Sequence, residues 1–237
     1  MNLTTKYLGL TLKNPIIVGA SNLVTDTVML KKLEDAGAAA IVYKSLFEEQ
    51  IHLENLILDQ ELTDYNDRNA EMTSLFPSDM YEAGPDEFLM HFEEAKKALT
   101  IPLIASLNCV YDDTWYEYAK KLESAGADAL ELNFYNNPKD FDMDGAAILK
   151  EELDVIEGVK NAVKIPVSVK LSSFYTNPLY TFGEMSHKGV DGFVLFNRLF
   201  QPDININTEE MHFPYNLSSD HDNRLPLRYA GLLFGNT

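Results

Sequence analysis

The chain has 237 residues, 46% hydrophobic and 24% charged, a composition ordinary for one large soluble domain with a sizeable core. Nineteen basic residues against 37 acidic ones give a formal net charge of −18, which repels phosphate backbones and anionic membrane surfaces and argues against a nucleic-acid partner. The single cysteine, Cys109, excludes an intrachain disulfide. The amino terminus MNLTTKYLGLTLKNP lacks the run of a secretory signal, and no apolar stretch approaches the roughly 20 residues that span a bilayer, so a cytoplasmic protein without a membrane span is expected.

Taken in order, the chain alternates strands and helices. A hairpin candidate, TKYLGLTLK, precedes a strand at 16–20 and a helix opened by Thr25 or Asp26 and closed by Gly37. A strand at 39–43 leads into a long acidic connection, about 45–84, and then the helical pattern PDEFLMHFEEAKKAL, with Pro85 suited to a first turn. Strands at 102–107, 128–133 and 166–171 are each followed by a helical pattern: DDTWYEYAKKLESAG, AILKEELDVIEGVKNAV and a weaker one around 178–188. A strand at 190–196 closes the series, before a second long loop at about 198–224. The phrases EDAGAAAIV, ESAGADALEL and SHKGVDGFVL repeat one joint: a helix end, a capping glycine, a short turn and a buried strand.

Strands separated by helices require parallel pairing, since the crossovers are too long for hairpins. The fold class is therefore α/β. With no G-x-G-x-x-G after the first strand, a parallel β/α barrel of the TIM type is favoured over a doubly wound sheet. Such a barrel builds its active site at the carboxyl ends of its strands. Polar signatures recur there, in IIVGAS, AIVYKS, ALELN, VSVKLS and FVLFN, making Lys44, Asn133, Lys170 and Asn197 the leading candidates. Either lysine read alone is equally a structural ion pair or an imine-forming lysine of the aldolase kind. Cys109 reads as a small buried hydrophobe. Phe134, Tyr135, Phe174 and Tyr175 read mainly as packing, and His91 as a surface or packing residue within a helix. The five histidines show no metal-ligand spacing, and no metal is expected.

The run LGLTLKNPIIVGAS, the YKS ending of the second strand, ALELN, IPVSVKLS and GFVLFNR, in this order at strand ends, resemble the dihydroorotate dehydrogenases, FMN-dependent barrels of pyrimidine biosynthesis, and a bacterial dihydroorotate dehydrogenase-like subgroup in particular. The resemblance extends over essentially the whole chain, read as one partial barrel domain, 1–237. It implies an oxidoreductase acting on CH–CH groups, moving a hydride between a pyrimidine-like small molecule and FMN. By the same resemblance Ala20, Ser21, Lys44, Ser45, Asn133 and Lys170 line the flavin, and Lys44, Asn133 and Asn197 touch substrate. Lys44 and Lys170 are the catalytic candidates, with Lys170 placing positive charge where flavin reduction develops negative charge.

Three departures stand beside the resemblance. Asn136 falls where the family carries its cysteine or serine base, and an amide cannot take that role; Tyr135 is the substitute acid or base at hand. LFPSDMYEAG stands in the region of the family's substrate-gripping L-P-N-x-G segment. Strands seven and eight, whose glycine-rich turns bind the FMN phosphate in the family, do not follow LLFGNT, so the barrel is read as holding six of eight units. The expectation is then a fragment, or a homo-oligomer that covers the open edges. The alternative function is a remnant of such a barrel that binds no cofactor.

Overall fold

The computed structural model describes residues 1–47, 85–108, 112–134, 142–197, 203–212 and 219–236. Cys109, Tyr135 and Asn136 lie outside them, as does most of the long connection at 45–84.

The amino terminus forms an antiparallel hairpin of β1 (Thr5–Tyr7) and β2 (Leu10–Leu12), turned through Leu8 and Gly9 at positive φ. The alternation then begins with β3 (Ile17–Val18), α1 (Thr27–Asp35) and β4 (Ala40–Val42), followed by the short β5 (Leu46–Phe47). It continues through α2 (Pro85–Ala98), β6 (Leu103–Asn108), α3 (Asp112–Ser124), β7 (Ala129–Asn133), α4 (Gly145–Ala162), β8 (Val167–Leu171), α5 (Pro178–His187) and β9 (Gly192–Leu195). A hairpin of β10 (Asp203–Asn205) and β11 (Glu210–His212) and the helix α6 (Arg224–Leu233) follow. The segment expected as one loop at 198–224 thus carries a hairpin, whose turn is made by a local Asn205–Glu209 bond.

β3, β4, β6, β7, β8 and β9 pair in that order, all parallel, with β5 extending the second position beside β6. This is an incomplete β/α barrel of six units. The outer strands are shorter than their sequence patterns: 16–20 shrinks to Ile17–Val18 and 190–196 to Gly192–Leu195. Each has one strand neighbour among the described residues, so ladder bonds form on one side alone.

Local chemistry explains the helix limits. The Asp26 side chain accepts from Val28 N and caps α1, Asp144 accepts from Ala147 N at α4, and Asn177 accepts from Tyr180 N at α5, where Pro178 occupies the first turn. The repeated joint is real: Gly37, Gly126 and Gly189 take φ of +107°, +95° and +87° after α1, α3 and α5, a region closed to most side chains. Two of these joints share a further device. Asp128 accepts from Leu103 N on β6 at 2.7 Å and pairs with Lys96 at 2.5 Å; Asp191 accepts from Val167 N on β8 at 2.8 Å and pairs with Lys160 at 2.6 Å. Each aspartate ties the preceding strand's first amide to a helix lysine, fixing strand order at the amino end.

The main core lies between sheet and helices. Ile41, Leu103, Ala105, Leu107, Leu130, Leu132, Val167 and Val169 face Phe92, Leu122, Ile156, Val159 and Phe182. Alternation sends the other set inward. Val42, Ile104 and Ala129 meet Leu8 and Tyr7 of the hairpin, which plugs the amino-terminal floor of the barrel. The plug sits close against β9: a Cβ at Gly192 would lie 2.8 Å from Leu8 Cδ2. The polar residues of the interior are thereby left above this floor, toward the opposite rim.

Candidate active site

Six parallel strands end on one rim, and the residues singled out from sequence lie there. Ala20 and Ser21 follow β3, Lys44 and Ser45 follow β4, Asn133 ends β7, Lys170 is the penultimate residue of β8, and Asn197 follows β9. The structure brings Asn133 and Lys170 together directly, since they face each other in the β7–β8 register. Asn197 joins them: its Nδ2 donates to Phe134 O at 3.1 Å and Lys170 O at 3.4 Å, while its backbone amide donates to Leu171 O. The amide nitrogen is therefore committed to the strand ends, and only the carboxamide oxygen could serve a ligand. Ser21 caps a single 3₁₀ turn, its Oγ accepting from Leu23 N, and Ala20 packs partly on the interior cluster.

Ser45 reaches the interior through an irregularity in the second strand position. Val42 faces Ile104 and Leu46 faces Leu107, so four steps along one strand oppose three along its neighbour. That extra residue is a bulge, and it shifts the alternation by one. Ile41, Tyr43 and Leu46 all face the helices, and Ser45 turns inward, 6% exposed, with Oγ 2.6 Å from Ser106 Oγ.

Below this rim lies a polar layer that the sequence reading did not single out. Ser106, Glu131 and Ser168 face one another across β6, β7 and β8. Ser106 Oγ donates to Glu131 Oε1 at 3.4 Å, and Lys170 Nζ stands 3.9 Å from the same oxygen. Glu131 is 5% exposed at its side chain and Lys170 22%. Burial pushes the Glu131 carboxyl above its ordinary value, and Lys170 and Ser106 oppose that shift without cancelling it. Burial likewise raises the Tyr7 hydroxyl, with a hydrogen bond between it and Ser168 opposing the shift and the field of Glu131 adding to it. A signal for Glu131 existed: an acid at an inward position, between Ala129 and Asn133, of an otherwise apolar strand.

Lys170 is accordingly not a detached strand-end cation. It is the cation nearest a buried carboxylate, so the ion-pair reading and the site reading apply to the same side chain. Beside it, Asn133 is 7% exposed and its Oδ1 is a buried acceptor with no donor among the described residues. An unmet buried acceptor costs about 1–3 kcal/mol, so it fits a ligand that brings an N–H or O–H.

Of the described residues read as packing, Phe174 behaves otherwise, while Tyr175 packs partly on the main core and also carries a hydrogen bond. Phe134 does pack, edge-on to Trp115 with ring centroids 5.4 Å apart. Phe174 is exposed, and the Tyr175 hydroxyl donates to both oxygens of Glu152, at 2.9 and 3.1 Å. His91 sits on the outer face of α2 between Glu87 and Glu94.

The curled parallel sheet with helices outside it, polar strand ends on one rim and a plugged floor define a β/α-barrel protein. Among solved structures, phosphonopyruvate hydrolase in complex with oxalate and magnesium is similar at a TM-score of 0.50 and 16% identity, covering 80% of this chain and 61% of that one, a likeness of fold. No family profile matches the chain. Curated relatives do. The dihydroorotate dehydrogenase B (NAD⁺) catalytic subunit of Methanocella arvoryzae is 30% identical over 211 residues, 88% of this chain and 66% of that protein. Its namesake from Thermoplasma volcanium is 27% identical over 197 residues, 83% of this chain and 62% of that one. The chain belongs to the dihydroorotate dehydrogenase family. It spans slightly less than two thirds of the length of the relatives it matches. Among the described residues no helix is long and apolar enough to cross a membrane.

Proposed function

We propose that this chain is a flavin-dependent oxidoreductase of the cytoplasm that binds FMN at the strand-end rim and acts on a CH–CH bond of a pyrimidine-like small molecule in pyrimidine biosynthesis. The observation that carries the reading is the pairing of Asn133 and Lys170: an unmet acceptor beside a cation, both on adjacent strand ends above a closed floor. A flavin ring presents both an N–H and an edge that becomes negative on reduction, and when bound it supplies the hydride chemistry. Asn133 would accept the ligand's N–H. Lys170 would hold positive charge at the edge where negative charge develops, an electrostatic contribution that acts more strongly away from water. Lys44 and Ser45, brought to the rim by the bulge, would contact flavin and substrate, with Ala20 and Ser21 against the flavin through backbone atoms and the Asn197 oxygen facing the substrate. Lys44 and Tyr135 are the groups proposed to move the substrate proton, given the amide at Asn136.

The test is FMN titration of the purified chain, followed by the bound flavin's absorption band and the quenching of its fluorescence. Saturable binding is expected, weakened about 10- to 100-fold in Lys170→Met, the range set by loss of a charge-assisted contact. A second reading, a barrel that binds no flavin, draws on the outer edges of β3 and β9, which pair with no further strand among the described residues. Absence of any flavin band at saturating FMN decides for that reading.

A further inference from the structure

We propose that Glu131 is a positioning residue for Lys170, holding its ammonium at the rim so that the lysine meets the flavin already oriented; this rests on the flavin reading of the site. The barrel interior gives no packing reason for a carboxylate. The layer beneath is apolar, made by Ile104, Ala129 and Leu8, and the flanking register partners of Glu131 are two small hydroxyl residues, Ser106 and Ser168. A carboxylate buried there costs several kcal/mol unless a cation and hydrogen bonds compensate it. The compensation is asymmetric. Ser106 contributes one long bond at 3.4 Å, and its hydroxyl is shared with Ser45 at 2.6 Å; the cation at hand is Lys170 at 3.9 Å.

Geometry gives the pair a direction. Glu131 sits one inward position deeper on β7 than Asn133, and Asn133 faces Lys170 across the register. The carboxylate thus pulls the ammonium down toward the Asn133 amide and away from bulk water. A lysine has long rotamer freedom, and fixing it before a ligand arrives removes an ordering cost from binding. The hydroxyls at Ser45 and Ser106 extend the same row to the bulge. One connected line therefore runs from the second strand position to the fifth: Ser45, Ser106, Glu131 and Lys170.

The test uses Glu131→Gln, Lys170→Met and the double variant, each checked for fold by circular dichroism. FMN affinity should fall about fivefold or more in Glu131→Gln and further in Lys170→Met, and the double variant should be no weaker than Lys170→Met alone, because a positioning residue has nothing left to position. Unchanged affinity in Glu131→Gln, or losses that multiply in the double variant, overturns the proposal. Infrared spectroscopy on the chain without FMN gives a readout independent of flavin binding. Compared with wild type, Lys170→Met should add a protonated-carboxyl band at neutral pH beyond the one Glu152 contributes, and Glu131→Gln in that background should remove the added band. No added band in folded Lys170→Met overturns the pairing. If wild type binds no FMN while the added band appears and vanishes as stated, the flavin reading fails and the pairing of Glu131 with Lys170 stands.

Discussion

Glu152 offers a quantitative test of how this barrel stores charge. It lies on α4 with 5% of its surface exposed, and its carboxylate receives the Tyr175 hydroxyl at both oxygens. Desolvation is the largest influence on it; the Tyr175 bond opposes the shift, the field of Glu151 adds to it, and the outcome is a carboxyl raised from 4.5 to about 7. Because the folded value lies above the unfolded one, the folded chain keeps a proton that the unfolded chain has released. Stability from this group is complete below pH 4.5 and is lost as pH rises through about 7. Between pH 5.5 and 8 the loss works out at about 2 kcal/mol, taking 1.36 kcal/mol per unit. Glu152→Gln keeps an acceptor for Tyr175 and removes the titration. Urea unfolding of both proteins across this range should show the variant gaining about 2 kcal/mol relative to wild type between the two ends. The difference between the two proteins isolates Glu152 from the other 36 acidic residues, which titrate in both. A difference that stays flat with pH would refute the reasoning and mean that the Tyr175 bond outweighs burial.

Two further perturbations probe the scaffold. Gly192→Ala drives a methyl to 2.8 Å from Leu8 Cδ2, and Leu8 is buried against Val42, Ile104 and Ala129, so it cannot swing aside. A loss of about 1–3 kcal/mol in urea unfolding is expected; no loss would mean that the hairpin floor is loosely seated. Asp191→Ala strips the acceptor from Val167 N and the partner from Lys160, costing about 1–3 kcal/mol, mostly through the buried amide. Asp191→Asn should recover most of that loss, and equal loss in both variants would instead assign the effect to the surface ion pair.

What the sequence made legible was periodic or punctuated. Alternating patterns and capping glycines placed every strand of the sheet except β5, and Asp26 and Pro85 marked helix starts where they act. Outer strands were overextended because pairing, not pattern, sets strand length. The rim residues were legible as polar interruptions after apolar runs. Glu131 was legible only as an acid at an inward strand position, and Glu152 was not legible, because its burial depends on what packs opposite its helix. Glu152 continues the buried stripe of Val155, Ile156 and Val159, and only the third dimension shows that Tyr175 meets it. The inward turn of Ser45 was likewise invisible, since simple alternation sends it toward the helices.

The extra residue between Val42 and Leu46 has a consequence for how this protein can change. It works as a phase shifter: the stretch before it answers to the helices and the plugged floor, and the stretch after it answers to the rim. Substitutions at Lys44 and Ser45 can therefore alter what the rim recognises without retuning the fit of Ile41 or Val42. Deleting one residue there would couple the two again: Leu46 would still face the helices opposite Leu107, but one inward position would replace the two that Lys44 and Ser45 now offer the rim.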